Sequence, residues 1–258
     1  NIFYLKQMSS ETKDKLVEIK DKDSDFPKKE LYSNTQKIFA EFIGTFLLVF
    51  LSCGGGVFSK CDLTLGCLAG GATILLVAYC IGKISGCHIN PACTINLHIR
   101  GEINFILAVS YIVAQCTGSL SAAFLLGLIK GDFTDVGSTK LGKILYYEKP
   151  SLSARSYLMG IVCEIIYTAI LLFVIFASGD KNFPYQDKGP FMIATYIITG
   201  ASAAGSLTGF SMNPARSLGP AIVEFLAGKS EALSQIWIYI IGPIIGAILG
   251  TNIYKMIS

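Results

Sequence analysis

Two copies of one tripeptide, Asn-Pro-Ala, are the residues of this chain that best combine polar chemistry with regular spacing. They are Asn90-Pro91-Ala92 and Asn213-Pro214-Ala215. Asn is a favoured helix N-cap and Pro, which lacks an N–H, fits the first helical position, so each copy predicts a helix start. Capping uses the side-chain carbonyl, which leaves the amide N–H groups as donors. Such a pair of donors could bind uncharged, hydrogen-bonding molecules.

Each tripeptide follows a glutamate at a fixed distance. Glu41 precedes Asn90 by 49 residues, and Glu164 precedes Asn213 by the same 49. A threonine also follows each glutamate four residues later. All three landmarks are repeated with one offset of 123 residues. This offset predicts that one structural unit is duplicated within the chain.

The composition indicates the environment of that unit. The chain is 52% hydrophobic and only 15% charged, which is typical of a membrane protein. A helix needs about 20 apolar residues to cross about 30 Å of hydrocarbon. Six such runs occur, near residues 38–58, 65–86, 103–129, 156–178, 190–209 and 235–257. We therefore expect an all-α membrane protein with six transmembrane helices in one tight bundle.

Two further apolar segments are too short to cross. They extend from Pro91 to about Ile99 and from Pro214 to about Leu226. About nine helical residues cover about 14 Å, half the hydrocarbon thickness, so each segment predicts a re-entrant half-helix that starts near mid-membrane. Loop backbone at that depth must be buried in protein or face water. The pattern therefore predicts a polar passage at the two helix starts.

The number of spans determines the direction of the second unit. Three is odd, so the second copy enters the membrane from the opposite side and the repeats are inverted. The two half-helices should then meet with their Asn caps at the centre. Two helix N-termini, each equivalent to about +0.5 charge, would oppose cations there. We expect neutral solutes to pass and ions to be excluded.

The polar segments complete the domain organisation. Residues 1–37 carry eight Lys against seven Asp or Glu and predict a mobile tail. The first repeat is expected over 38–129, a connecting loop over 130–155 and the second repeat over 156–258. Loops on the side of both termini hold thirteen Lys or Arg, against seven on the other side without Arg216. This bias favours both termini in the cytoplasm.

Over about residues 38–257, the chain resembles the aquaporins of the major intrinsic protein family. Three motifs carry the resemblance: Ala-Glu-Phe-Ile-Gly-Thr-Phe at 40–46, Ser-Gly-Cys-His-Ile-Asn-Pro-Ala at 85–92, and Gly-Phe-Ser-Met-Asn-Pro-Ala-Arg-Ser at 209–217. The resemblance implies a passive water channel that assembles as a homotetramer with one pore per subunit. No cofactor is expected. The membrane would be the plasma membrane or that of an intracellular vesicle.

By this resemblance, Arg216 forms a narrow selectivity filter near the extracellular mouth, together with Gly70, Ala201 and Phe210. Water-selective relatives usually have an aromatic residue in place of Gly70 and histidine in place of Ala201. Phe210 resembles the glycerol facilitators, but those relatives usually have Asp where this chain has Ser217. We expect water conduction, with passage of glycerol or other small neutral solutes as the alternative.

The remaining intramembrane polar residues have two readings each. Glu41 and Glu164 could relay protons, but the resemblance favours structural support, in which the carboxylates accept hydrogen bonds from the backbone of the re-entrant loops. By the same resemblance, His88 lines the pore near the cytoplasmic approach to Asn90. A pH-sensing role for His88 is the weaker alternative.

The loop over residues 179–189, expected in the cytoplasm, has Gly at both ends and a bulky Phe-Pro-Tyr between them. Our hypothesis is that Phe183 or Tyr185 folds over the inner mouth as a gate, since hinged loops carry such motions. The alternative is that the aromatic pair packs on the rim of the bundle.

Other classes are less compatible with the pattern. Secondary transporters share inverted repeats and broken helices, but no intramembrane Asp or Na⁺ site is evident here. The sequence contains no Ser-His pair, HExxH motif or paired aspartates of the kind that would indicate an enzyme. His88 and His98 have no clustered carboxylate partner, so no metal site is expected.

Overall fold

The computed structural model describes residues 31–59, 63–146 and 152–258. Residues 1–30 of the predicted tail lie outside these ranges, as do residues 147–151 of the predicted connecting loop. The helices described belong to the unit Asn34–Ser258. In chain order they are α1 (Asn34–Phe58), α2 (Leu63–Ser85), α3 (Pro91–Ile99), α4 (Phe105–Lys130), α5 (Ala154–Ser178), α6 (Gly189–Thr208), α7 (Pro214–Leu226), α8 (Glu231–Ser234) and α9 (Ile238–Ile257).

Six of these helices, α1, α2, α4, α5, α6 and α9, are long and apolar enough to cross a membrane. Three precede the connecting segment and three follow it, so the two halves run in opposite directions. The short helices α3 and α7 have the bounds expected for the half-helices. The predicted fold class, six spans and two half-helices in an inverted repeat, is confirmed.

Two helix starts differ by three or four residues from the approximate bounds of the apolar runs. The first span was expected from residue 38, with a tail up to residue 37, but α1 begins at Asn34. The polar residues 34–37 continue the helix, because helical backbone outside the hydrocarbon does not need apolar side chains. The last span was expected from residue 235, but α9 begins at Ile238. Gln235 is instead buried and accepts a hydrogen bond from Leu141 N at 2.8 Å.

Small residues allow the spanning helices to pack closely. In α4, a Cβ at Gly118 would overlap the carbonyl oxygen of Phe42 in α1. In α9, a Cβ at Gly250 would overlap the carbonyl oxygen of Ala169 in α5. Because lipid is as apolar as the helices, such close packing is a main source of helix association in membranes. Each repeat thus pairs its first span with its last.

The half-helices interlock the two repeats. The first half-helix, α3, packs against α9 of the second repeat and against α4. The second half-helix, α7, packs against α4 and α1 of the first repeat. Each half-helix is therefore enclosed by protein from both halves, as backbone at membrane depth requires.

Candidate functional site

Asn90 and Asn213 cap the two half-helices in the same way. Oδ1 of Asn90 accepts a hydrogen bond from Ala92 N at 2.9 Å. Oδ1 of Asn213 accepts from Ala215 N at 3.0 Å and from Arg216 N at 3.2 Å. Both caps have extended backbone, with φ of −156° and −147°. Each half-helix therefore begins at its Asn-Pro step, as an N-cap Asn followed by Pro favours.

The two caps also bind each other's loops. Nδ2 of Asn90 donates to the carbonyl oxygen of Met212 at 2.9 Å, and Nδ2 of Asn213 donates to that of Ile89 at 2.7 Å. The expectation that capping leaves the amide N–H groups of each Asn available as donors was therefore wrong for one of the two, which binds the opposite loop. The physical reason is that each loop carbonyl needs a donor at a depth where water is scarce. One amide N–H of each cap remains for a solute.

The loops before the caps hold an unusual backbone. Cys87 and Ile89 have φ of 53° and 41°, and Phe210 and Met212 have φ of 48° and 53°. These positions are related by the same 123-residue offset as the tripeptides. Left-handed backbone at residues other than Gly costs about 1–3 kcal/mol each and persists only where the surroundings fix it. Both loops therefore need strong anchors.

Glu41 anchors the first loop. Its Oε1 accepts hydrogen bonds from Ser85 Oγ at 2.6 Å and His88 N at 2.9 Å. Its Oε2 accepts from Ile89 N at 2.6 Å and Gln115 Nε2 at 2.7 Å. The side chain is fully buried in α1. Four donors thus satisfy a carboxylate that would otherwise be costly to bury.

Glu164 anchors the second loop with equivalent bonds. Its Oε1 accepts from Thr208 Oγ1 at 2.7 Å and Ser211 N at 3.2 Å, and its Oε2 accepts from Met212 N at 2.8 Å. Each of these three donors is 123 residues after its counterpart at Glu41. The duplication therefore extends to individual hydrogen bonds.

A cavity of about 370 Å³ passes the caps. It brings together the two cap residues, the four predicted filter residues and the predicted pore-lining histidine: Asn90, Asn213, Gly70, Ala201, Phe210, Arg216 and His88. The predicted gate residues Phe183 and Tyr185 are not among the residues that line it. Within the described ranges, no three His, Cys, Asp or Glu side chains are grouped so that they could hold a metal ion.

The ring of Phe210 lies in a recess beside the cavity and is only 7% exposed. Its floor is Gly200, where a Cβ would overlap Cζ of the ring and lie 2.7 Å from Cε2. Tyr167 packs edge-on with ring centroids 5.3 Å apart, and Tyr196 packs at 6.1 Å. The absence of a side chain at Gly200 therefore lets Phe210 withdraw from the cavity.

Arg216 lies in the first turn of α7 and is bound by the connecting segment. Its Nη1 donates to the carbonyl oxygen of Gly137 at 2.7 Å. Because a guanidinium carries five N–H donors, this bond leaves others for solutes in the cavity. A fixed cation at this position repels cations in the cavity.

A third buried carboxylate, Glu224 in α7, was missed by the sequence reasoning. It accepts hydrogen bonds from Val136 N at 3.1 Å, Ser138 N at 3.2 Å and Ser138 Oγ at 2.7 Å. Lys140 Nζ lies 3.3 Å from its Oε2. The available signal was an acidic residue within a short apolar half-helix, which requires a partner. The partner could not be found, because the connecting segment has no periodic pattern.

The hydroxyl group of Thr94 contacts the ring of His88. Thr94 has one hydroxyl proton, and its Oγ1 lies 3.1 Å from the carbonyl oxygen of Asn90. Gln115 Nε2 donates to the same Oγ1 at 3.0 Å and to Glu41. When the Thr94 hydroxyl proton goes to the Asn90 carbonyl, His88 Nδ1, 3.1 Å from Oγ1, donates to the remaining lone pair and the neutral ring presents Nε2 as an acceptor.

The loop over residues 179–189 is tied to two spanning helices. Tyr254 in α9 donates to Asp180 Oδ2 at 2.7 Å, and Tyr79 in α2 donates to the carbonyl oxygen of Asp187 at 2.8 Å. Hydrogen bonds from Asn182 N–H and the Tyr254 hydroxyl hold the pKa of Asp180 below its usual range. These bonds fix both ends of the loop.

The aromatic pair lies between these two ties. The rings of Phe183 and Tyr185 pack edge to face with centroids 6.1 Å apart. Lys188 Nζ lies 4.3 Å from the centre of the Tyr185 ring, which is about half exposed. In this arrangement, the pair packs on its own loop.

Six spans and two half-helices that meet end to end beside a cavity lined by both caps and by Arg216 define a multi-pass membrane channel. Residues 28–254 match the major intrinsic protein family, and the chain belongs to that family. Members of this family are channels, not enzymes.

Two relatives and one solved structure illustrate the similarity. The chain is 35% identical to "Aquaporin Z" of Rhodopseudomonas palustris over 87% of its own length and 94% of the relative's. It is 36% identical to "Probable aquaporin NIP7-1" of Arabidopsis thaliana, over 86% and 76% of the two lengths. The crystal structure of the aquaglyceroporin from Plasmodium falciparum matches with a TM-score of 0.76 and 23% identity. This match covers 87% of this chain and 97% of that one and shows the shared fold.

Proposed function

We propose that the chain is a passive channel that conducts water and excludes protons and ions. The observation that carries this proposal is the reciprocal bonding of Asn90 and Asn213 in the wall of one cavity. Each cap offers a neutral N–H donor, which suits water. The ends of α3 and α7 add partial positive charge at the same place. Arg216 adds a full positive charge further along the cavity, so cations are repelled at two positions.

The polar residues around the caps have distinct proposed roles. Glu41 and Glu164 hold the loops, because each accepts bonds from the two backbone N–H groups that precede its cap by one and two residues. All the bonds described for these carboxylates go to residues of the scaffold, which disfavours a proton relay. His88 lines the inner approach and offers Nε2 as an acceptor to passing water.

A second candidate function is passage of glycerol or other small neutral solutes. It rests on the shape of the filter. Gly70 and Ala201 contribute little side-chain bulk, and Phe210 withdraws onto Gly200. An aliphatic carbon chain could pass this apolar wall while its hydroxyl groups bind Arg216. The names of the relatives, which include both "Aquaporin Z" and an aquaglyceroporin, are compatible with either solute.

Assembly, orientation and gating complete the proposal. By family resemblance, the channel is a homotetramer, in the plasma membrane or an intracellular vesicle membrane. The excess of Lys and Arg in the loops on the side of the termini supports both termini in the cytoplasm. The loop over 179–189 would then face the cytoplasm. Closure of the inner mouth by Phe183 or Tyr185 would require release of the Tyr254–Asp180 and Tyr79–Asp187 bonds.

Stopped-flow light scattering on proteoliposomes tests the proposal. Asn213→Ala removes a cap and a cavity donor, whereas Asn104→Ala removes a cap of the same type at the exposed start of α4. Both lose about 1 kcal/mol of capping. We expect water permeability per inserted protein to fall only in Asn213→Ala. Equal permeabilities in the two variants would contradict a role for the caps in conduction.

Permeabilities measured with gradients of glycerol and urea distinguish a strict water channel from a channel that also passes small neutral solutes. A protein that conducts water but neither solute is a strict water channel, whereas glycerol flux well above that of empty vesicles supports the second candidate. Saturable uptake coupled to an ion gradient would contradict both, because it requires a moving binding site.

A further inference from the structure

The third buried carboxylate, Glu224, lies on the same half-helix as the predicted filter arginine. The two residues are eight positions apart, about two helical turns or about 12 Å along α7. Glu224 is fully buried, so its charge must be satisfied by the groups around it. All its described partners belong to one stretch of the connecting segment, residues 136–140.

That stretch also holds Arg216. Gly137 supplies the carbonyl oxygen that accepts from Arg216 Nη1 at 2.7 Å. The residues on either side of Gly137 donate their backbone N–H groups to one oxygen, Oε1 of Glu224, from Val136 at 3.1 Å and Ser138 at 3.2 Å. The carboxylate therefore accepts hydrogen bonds from the backbone on both sides of the carbonyl that binds the arginine.

We propose that Glu224 is a positioning residue that fixes Arg216 against the cavity wall through residues 136–138 and so determines which solutes pass. This inference rests on the proposed function, because it assigns a specificity role within the same filter. Arg216 itself would contact the solute, and Glu224 would act only through the Gly137 carbonyl.

The arginine side chain explains why a positioning residue is needed. It is long and loses much conformational freedom when held in one position. A carbonyl in irregular backbone can hold it only if that backbone is itself fixed. Gly137 has φ of 89°, which glycine adopts freely, and its backbone loses much conformational freedom when it is held there, so it depends on neighbouring contacts.

The segment has other anchors that do not involve Glu224. Thr139 Oγ1 lies 2.6 Å from Ser217 Oγ, and Leu141 N donates to Gln235 Oε1 at 2.8 Å. These bonds hold the segment beyond residue 138. Loss of the carboxylate should therefore displace Gly137 locally and leave the rest of the segment in place.

The charge of Glu224 is expected to matter as well as its shape. In Glu224→Gln, one oxygen can still accept from the two backbone N–H groups. The second oxygen, which faces Ser138 Oγ and Lys140 Nζ, would be replaced by an amide that is repelled by the ammonium group. Glu224→Gln should therefore loosen the segment, and Glu224→Ala should release it.

A second substitution displaces the same carbonyl without touching Glu224. In Gly137→Ala, the new Cβ would lie 2.6 Å from Cβ and 3.0 Å from Sγ of Cys53. The positive φ is also unfavourable for Ala. Both routes should therefore free the guanidinium from its carbonyl.

The test measures the ratio of glycerol to water permeability in proteoliposomes, normalised to inserted protein. A released guanidinium extends into the lumen and obstructs glycerol more than water, so the ratio should fall by about threefold in Glu224→Gln and in Gly137→Ala. The control is Glu231→Gln, the same exchange at an exposed residue in α8, for which no change is expected. Because both permeabilities are measured on the same inserted protein, a lower yield of inserted protein cancels in the ratio.

The Arg216→Ala background decides whether Glu224 acts through the arginine. If it does, Glu224→Gln has no further effect on the ratio there. The same fall in both backgrounds would overturn the proposal, and so would an unaltered ratio in Glu224→Gln with Arg216 present.

A crystal structure of the Glu224→Gln variant gives a readout that does not depend on conduction. Loss of the contact between Arg216 Nη1 and the Gly137 carbonyl oxygen is expected, and its retention would overturn the proposal. If the unmodified protein conducts neither water nor glycerol, the proposed function is refuted. The crystal structure of the Glu224→Gln variant would still decide whether Glu224 positions Arg216.

Discussion

Asn90 and Asn213 each donate a hydrogen bond to the carbonyl group immediately before the other, at 2.9 Å to Met212 and 2.7 Å to Ile89. This reciprocal pair closes the contact between the two repeats at the depth where their half-helices meet. It also orients both amides, because a side chain bound through one N–H and its carbonyl presents the second N–H in a fixed direction. The caps are therefore structural contacts between the repeats, and we propose that they also donate hydrogen bonds into the cavity.

The two loop-anchoring glutamates should differ in their effect on stability. Glu41 accepts four hydrogen bonds and Glu164 accepts three, with Gln115 as the additional donor to Glu41. In Glu41→Gln, the new amide would face the Gln115 amide. We expect each Glu→Gln variant to lose about 1–3 kcal/mol, and Glu41→Gln to lose more.

The thermal unfolding midpoint of the purified protein in detergent checks this order. Glu102→Gln is the matched control, because its side chain is exposed and pairs only with Arg100 among its described contacts. Unchanged midpoints in Glu41→Gln and Glu164→Gln would show that the carboxylates do not hold the loops.

The recess under Phe210 should set the width of the filter. In Gly200→Ala, the new methyl group overlaps the ring, and Tyr167 and Tyr196 restrict its movement on other sides. We expect the ring to move into the cavity and glycerol permeability to fall about tenfold, with a smaller fall for water.

Two further variants make this prediction specific. Gly82→Ala introduces the same methyl group in α2, where nothing lies within 4 Å of the new Cβ, so both permeabilities should remain unchanged. Replacing Phe210 with Leu in the Gly200→Ala background should restore glycerol passage. If Gly200→Ala alone leaves the ratio of glycerol to water unchanged, the ring does not control the filter.

The tied loop gives a direct test of gating. Tyr254→Phe and Tyr79→Phe together remove the hydroxyl groups that bind the loop at Asp180 and Asp187. If the released loop closes the inner mouth, water permeability falls severalfold in the double variant. Deletion of residues 183–185 in the same background should then restore it. Equal swelling rates with and without the deletion would remove the gate from the account.

The pH dependence of the same tie follows from the lowered pKa of Asp180. A lowered pKa in the folded state means that the stabilisation is present above the usual Asp pKa and is lost as pH falls through the lowered pKa of Asp180. Water permeability of the unmodified protein should therefore not vary between about pH 5 and 8 through this group. A Tyr254→Phe variant that alone becomes sensitive to pH in that range would contradict this assignment.

The assigned tautomer of His88 can be observed spectroscopically. We expect ¹⁵N NMR of labelled protein in lipid to show a proton on Nδ1 and none on Nε2 at neutral pH. Thr94→Val removes the acceptor for Nδ1 and should alter the balance of tautomers, whereas Thr199→Val, on an exposed part of α6, should not. A proton on Nε2 in the unmodified protein would contradict the hydrogen-bond accounting.

The sequence predicted the parts of this channel that depend on local or periodic signals. Apolar runs gave the six spans, and the Asn-Pro steps gave the bounds of α3 and α7 because N-capping is local. The start of α1 at Asn34 was missed, because hydropathy detects apolar runs and does not detect a helix that continues into polar residues. The predicted filter residues border one cavity, but their positions came from family motifs.

Contacts between distant segments could not be predicted. Glu224 and Val136 meet only because α7 is inserted beside the connecting segment, which has no pattern of its own. The recess between Gly200 and Phe210 likewise depends on the distance between α6 and the second re-entrant loop. For the same reason, the reciprocal bonds of Asn90 and Asn213 were missed: the relative position of the two loops is determined by packing of the whole bundle.

We propose that the paired half-helix caps form a passage for water that excludes charge. The most direct test of this proposal is simultaneous measurement of osmotic water flux and proton leak in proteoliposomes of the unmodified protein. We expect water permeability far above that of empty vesicles, with a proton leak no greater than theirs. Water permeability equal to that of empty vesicles, or a proton leak that rises in parallel with the water flux, would contradict it.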